Sequence, residues 1–160
     1  MKQSILLISA FLFSIGLQGQ VLGDDVIIVQ NLWGKEKRAL IADYMDFSAA
    51  QGDTFWPAYN TYESARKELG RERLAIMEEY VQNFQTLSDK KATELVNKAA
   101  QNSIALQKLL QSTFKSMSRI IGPAQAAKFI QIENYLMTGI MLSMQENLPF
   151  LGEKNLLQKE

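Results

Sequence analysis

Between Phe55 and Leu87 the apolar side chains return at helical spacing: Tyr59, Tyr62, Leu69, Ile76, Tyr80 and Leu87, in steps of three, seven, seven, four and seven. This keeps them on one face of a helix that rises about 1.5 Å per residue. So long a stripe cannot be buried by its own helix, and the flanking sequence predicts three partners. A first helix over 27–46 starts from Asp24-Asp25 and carries Ile27, Ile28, Leu32, Leu40, Ile41, Tyr44 and Met45, with Gly34 weakening its middle. Val26 to Val29 also suit a strand, but no partner strand is evident, so helix is the reading. A second helix over 49–86 begins at Ser48, a good N-cap that Gln51 can complete as a capping box. Pro57 inside it predicts a kink near 53–57, and Gly70 is a mild weakness. Leu87-Ser88-Asp89 makes a tight connection, which forces the second and third helices antiparallel. In the third, over 90–120, Ala92, Val96, Ala99, Ser103, Leu106, Leu110, Thr113, Met117 and Ile120 form a coiled-coil-like seam. Ile121-Gly122-Pro123 ends it, with Gly as C-cap and Pro in the first turn of a fourth helix over 123–147. That helix is apolar nearly all round, so it is either deeply buried or partly exposed for a partner. Pro149 stops it, and 151–160 reads as a mobile tail. The fold expected is all-α, a long antiparallel hairpin with shorter N- and C-terminal helices packed on it.

The start of the chain changes this picture. Met1-Lys2-Gln3 is a short positive segment, and Ile5 to Leu17 is an apolar run of thirteen residues. The run is too short to span a bilayer comfortably and is followed by small residues. It reads as a secretory signal peptide over 1–23, cleaved after Gly16, Gly19 or Gly23, with an uncleaved anchor as the alternative. No later stretch is long and apolar enough to span, so a soluble mature domain over 24–150 is expected. The chain has 160 residues, no Cys and no His. A lipid anchor at the cleavage site and a disulfide framework are thereby excluded, and the core alone must hold the fold.

Loss of Lys2 with the leader leaves 16 basic against 17 acidic residues, a net charge of −1 that does not steer the protein to nucleic acid. The charge is unevenly spread, with net −4 from Asp24 to Thr86 and net +4 from Leu87 to Ile121. Two helices attracting each other account for this, and a basic face for acidic or unfolded partners is the sharper alternative. Imidazole acid–base chemistry, thiolate nucleophiles and the usual zinc ligand sets are unavailable. The phosphate-cradling and nucleophile-elbow motifs are missing as well. The reading is a protein that is not an enzyme and needs no cofactor.

Within the apolar fourth helix, Glu133 stands between Ile132 and Tyr135, and a buried carboxylate needs a partner or a proton. Arg66 and Arg73 share the inward track of the second helix and are its candidate partners in a structural ion pair. A switch or ligand contact is the functional alternative. Met137, Met141 and Met144 lie on one face of the fourth helix. They suit an ordinary core, an adaptable surface for apolar partners, or a thioether copper site. With Met117, Lys108, Lys115 and Arg119 they form the candidate surface for unfolded or partner proteins. Phe55, Trp56, Tyr59 and Tyr62 are most simply core, though beside Arg66 they also suit a groove for peptide side chains.

Two spots resemble degenerate versions of the Leu-Thr-x-x-Gln motif of Spy/CpxP-type periplasmic helical proteins: Phe47-Ser48-Ala49-Ala50-Gln51 and Ile121-Gly122-Pro123-Ala124-Gln125. In both, Leu is replaced, by Phe and Ile, and Thr is replaced, by Ser and Gly. Over about residues 40 to 150 the chain is similar to a family of exported, all-helical, largely uncharacterised bacterial proteins. Phe55-Trp56-Pro57-x-Tyr59, Tyr62-Glu63, Tyr80, Gln131-Ile132-Glu133-Asn134 and Leu148-Pro149-Phe150 carry that likeness. The resemblance implies a Gram-negative periplasm and a helical hairpin with shorter helices at its ends. By analogy with Spy it implies an antiparallel homodimer with a cradle for unfolded clients. It supplies no catalytic residue. The function expected is a periplasmic, ATP-independent, chaperone-like or stress-related binding protein. The alternatives are a structural or regulatory module for one dedicated envelope partner and, disfavoured by the missing His and Cys, a metal or small-ligand binder.

Overall fold

A computed structural model describes residues 36–145 and 148–151. The expected signal peptide at 1–23, the first part of the expected first helix at 27–35, and 152–160 of the tail lie outside the described residues. Four α-helices follow in order: α1 (36–45), α2 (Ala49–Asn83), α3 (Asp89–Ile121) and α4 (Pro123–Gln145). A single 3₁₀ turn, Phe84–Thr86, finishes the long second helix. The fold is all-α, and no strand occurs among the described residues.

Local chemistry sets the boundaries. Ser48 caps α2 in a full capping box: its hydroxyl accepts from the Gln51 amide, and the Gln51 side chain accepts from the Ser48 amide at 3.1 Å. The helix then runs 35 residues, through Pro57, whose missing donor does not end it. Ser88 caps α3 by accepting from the Lys91 amide. Gly122, at φ 83°, turns the chain from α3 into α4, with Pro123 in the first helical position. Only glycine holds that left-handed conformation without steric cost. The α1–α2 corner instead places a non-glycine residue, Asp46, at φ 50°.

The cross-helix bonds fix the directions. From the turn downward, Glu79 meets Lys91 and Lys98, Arg73 donates to the Ala99 carbonyl, and Asn102 donates to the Leu69 carbonyl and the Glu72 carboxylate. Position numbers rise on α2 as they fall on α3, so the pair is an antiparallel hairpin. Its Glu79–Lys91 and Glu79–Lys98 pairs join the acidic helix to the basic one. α4 runs back alongside α2: Phe129 lies against Phe55, Tyr59 and Tyr62, and the Tyr80 hydroxyl donates to the Pro149 carbonyl at 2.6 Å. α1 runs antiparallel to α2 over the same end as Phe129.

The core is concentrated where all four helices overlap. Ile41, Met45, Phe55, Tyr59, Tyr62, Leu110, Met117, Ala126 and Phe129 form one buried cluster. The α2 stripe faces inward largely as its spacing predicts, with Tyr59, Tyr62 and Ile76 buried and Leu69 and Tyr80 partly so. The α3 seam needs correction. Leu110, Thr113 and Met117 are buried, but Val96 is 67 % exposed and Ser103 faces solvent. The buried residues in the first half of α3 are Leu95 and Asn102, one position earlier. A straight helix drifts about 20° per heptad away from a strict seven-residue repeat. Over the three heptads from Met117 back to Val96 that carries Val96 out of the interface.

Candidate functional site

The most unusual chemistry lies under α1. The apolar spacing of that helix, Ile41 and Met45 at 0 % and 1 % exposure, continues one turn back to Lys37, which is buried with them. Its ammonium donates to Glu63 Oε2 at 2.8 Å and to Glu133 Oε2 at 2.9 Å, so one cation from α1 joins a carboxylate of α2 to a carboxylate of α4. The Tyr62 hydroxyl donates to the same Glu133 oxygen at 2.7 Å. Arg66 grips Glu63 with two bonds, Nε to Oε2 at 2.8 Å and Nη2 to Oε1 at 2.7 Å. The floor is aromatic. Phe129 sits edge-on to Phe55, Tyr59 and Tyr62, and the Lys37 ammonium lies 5.8 and 5.6 Å from the Tyr59 and Tyr62 ring centres. On the rim the Arg38 guanidinium stacks 3.8 Å above the half-buried Trp56, and Arg38 donates to Asn60 at 3.0 Å.

Two buried oxygens in this cluster have no partner, Glu133 Oε1 and the Tyr59 hydroxyl. Burial works against ionisation of the Glu63 carboxyl, but the bonds from Arg66 and the charge of Lys37 override it and hold that carboxyl below the usual carboxylate range. Burial likewise works against charge on Arg66, and its bonds to Glu63 reverse the balance and raise its pKa. The Tyr59 and Tyr62 hydroxyls are pushed upward, first by burial and then by the nearby carboxylates. Both remain protonated at neutral pH, and Tyr62 donates to Glu133. The arrangement holds three helices together through paired charges and presents no activated nucleophile. Among the described residues no group of three or more His, Cys, Asp or Glu is placed to hold a metal ion.

The residues singled out from sequence separate into three places. Phe55, Tyr59 and Tyr62 form the aromatic floor, and Trp56 sits at its edge. Glu133 is fully buried, but its charged partner is Lys37, not Arg66 or Arg73. Arg66 belongs to the cluster through Glu63, while Arg73 lies further along α2 and turns to the Ala99 carbonyl of α3. The difference arises because α1 brings Lys37 into the core beside Glu133, while Arg66 is held by Glu63 and Arg73 turns to α3. Lys37 and Glu63 were both missed as members of the pair. The signal for Lys37 was present, since it lies four residues before Ile41 and eight before Met45 in a charged run that masks the stripe. Met117 is 1 % exposed and belongs to the core, not to a partner surface. Met137, Met141 and Met144 are half-buried along α4. Lys108, Lys115 and Arg119 are exposed on α3.

A second feature lies on the outward side of α3. Val96 and Ile104 are 67 % and 55 % exposed, and Ile104 and Lys108 line a shallow depression with Ser103, Gln107 and Gln111. On α4, Tyr135 and Leu142 also face solvent. Among the described residues no helix is long and apolar enough to cross a membrane. In comparisons with known proteins, no family model, no curated protein and no solved structure matches the chain.

Proposed function

We propose that this is a non-enzymatic helical binding protein of the bacterial envelope that holds exposed segments of other polypeptides without ATP, in the manner of a chaperone. The leader-like start of the chain supports the periplasmic placement, and the all-helical framework supports a binding role. The observation that carries the reading is the outward face of α3, where exposed Ile104 shares a shallow depression with the cationic Lys108, and Val96 is exposed about two turns before Ile104. Apolar contact with a nearby positive charge suits unfolded segments that expose both apolar and acidic groups. On α4 the half-buried Met137, Met141 and Met144 lie on one face and the exposed Tyr135 and Leu142 on another, and soft methionine side chains suit varied apolar contacts.

Light scattering tests this. A client denatured in urea and diluted into buffer aggregates alone, and the purified mature chain suppresses that aggregation in proportion to its concentration, with no nucleotide. Ile104→Glu weakens the suppression severalfold while circular dichroism remains that of a folded helical protein. No suppression at any ratio overturns the chaperone reading and turns the search to a dedicated partner, identified by crosslinking in the periplasm.

A further inference from the structure

The groove beneath α1 has the features of a receptor site already filled by part of the chain. Within its described residues α1 is held by what lies beneath it, through the Lys37 bonds and the buried Ile41 and Met45. Its inward residues are one cation and two aliphatic side chains at four-residue spacing: Lys37, Ile41 and Met45. Without α1, the groove would keep two carboxylates, Glu63 and Glu133, against the one guanidinium of Arg66. These would lie beside Phe55, Tyr59, Tyr62 and Phe129, a site matched to one positive charge with apolar flanks.

The fit of α1 is also incomplete. Lys37 reaches only Oε2 of Glu133, leaving Oε1 and the Tyr59 hydroxyl without partners. A guanidinium offers five donors in a planar fork and can address both oxygens of a carboxylate, which a single ammonium does poorly. At the corner where α1 meets α2, Asp46 is held at a positive φ of 50°, a conformation that carries some cost for a residue with a Cβ.

We propose that this groove is a docking site for a basic amphipathic helix of a partner protein. The partner helix presents an arginine with aliphatic residues four and eight positions later, and α1 is the built-in occupant it displaces. Tethered through residues 46–48, α1 faces the groove at an effective concentration in the millimolar range. It thus screens out weak ligands and yields to one that pairs Glu133 more fully. The site is separate from the outer face of α3 and does not rest on the chaperone reading.

The test uses the full mature chain and a fluorescein-labelled synthetic peptide of residues 36–47 carrying Lys37→Arg, followed by fluorescence anisotropy. In the protein, Ile41→Ala weakens α1 without touching the charges, and Lys37→Met removes its key contact, with circular dichroism confirming that each variant is folded. The peptide binds the Ile41→Ala protein at least tenfold more tightly than wild type. Adding Glu133→Gln to that protein reverses the gain, and a peptide carrying Lys37→Glu does not bind. Equal affinity for wild type and Ile41→Ala, or no binding to either folded variant, overturns the proposal. Dimerisation of the α1-weakened variants in size-exclusion chromatography overturns the partner assignment in favour of α1 from a second copy.

Discussion

Lys37 shows how much one buried charge can decide. It is 2 % exposed and shared between two carboxylates. Lys37→Met therefore leaves Glu133 with Tyr62 alone, at a cost of about 3–5 kcal/mol, measurable by urea unfolding. Combining Lys37→Met with Glu133→Gln recovers at least about 1 kcal/mol of the summed single costs. Strict additivity would mean that Lys37 acts through packing alone. The same cluster sets a pH response. The Glu63 carboxyl titrates lower when folded than when unfolded. Its contribution is thus fully present above the unfolded value of about 4.3 and is lost as pH falls through the lower folded value. Glu63→Gln flattens this acid limb in unfolding curves taken across pH. Tyr59 and Tyr62 behave in the opposite sense. Their raised values stabilise the fold below about pH 10 and that stability is lost as pH rises. In an alkaline titration followed at 295 nm, their phenolate signal appears only with unfolding. From sequence, Glu133 was legible as a buried carboxylate because its helix is so apolar. Its partner was not, because nothing in the residues of α2 or α4 announces which charged position of α1 faces inward.

At the scale of elements, the helix ends were the most readable part of the chain. Ser48 with Gln51, Ser88, and Gly122 before Pro123 are local signals, satisfied by atoms within a few residues, so tertiary packing has little power to override them. The α3 seam was less readable because its regular spacing put Val96 and Ser103 inside and did not include Asn102. Packing reversed this, since Asn102 finds the Leu69 carbonyl and the Glu72 carboxylate across the hairpin. Two glycines give an internal test. A Cβ at Gly70, inside α2, meets nothing within 4 Å. Gly70→Ala therefore stabilises by about 0.5–1 kcal/mol. Gly122 also has open space, but at φ 83° any side chain is strained, and Gly122→Ala costs about 1–2 kcal/mol. Thermal melts of the two variants shift in opposite directions, although a list of spatial contacts would rank the two substitutions alike.

Across the whole molecule, a helical hairpin is joined near its turn by surface charges, covered by α1 at the end away from the turn, and flanked by α4, which runs from that end towards the turn. The opposite charges of α2 and α3 were visible in the sequence and appear as the Glu79–Lys91 and Glu79–Lys98 pairs. These pairs are partly exposed, so each adds little to stability. The all-helical architecture was also legible, because four apolar stripes of helical period leave no other way to be buried. The division of α4 was not, since a helix apolar nearly all round does not say which face its neighbours will take. It places Phe129, Glu133 and Leu136 inside and leaves Tyr135 and Leu142 outside.

The bonds under α1 join residues far apart in the chain. Lys37 and Glu133 are separated by 96 positions and Tyr62 and Glu133 by 71, whereas Glu79 reaches Lys91 and Lys98 across 12 and 19. Short loops close at lower entropic cost, so the hairpin zips from its turn and the long-range bonds come last. Lys37→Met should then leave the refolding rate nearly unchanged and speed unfolding by roughly two to nearly four orders of magnitude. Stopped-flow experiments in urea would show this as a shift of the unfolding limb alone, and an equal slowing of refolding would reverse the order. On this account the buried lysine governs how long the folded state lasts, and has little to do with how quickly it is reached.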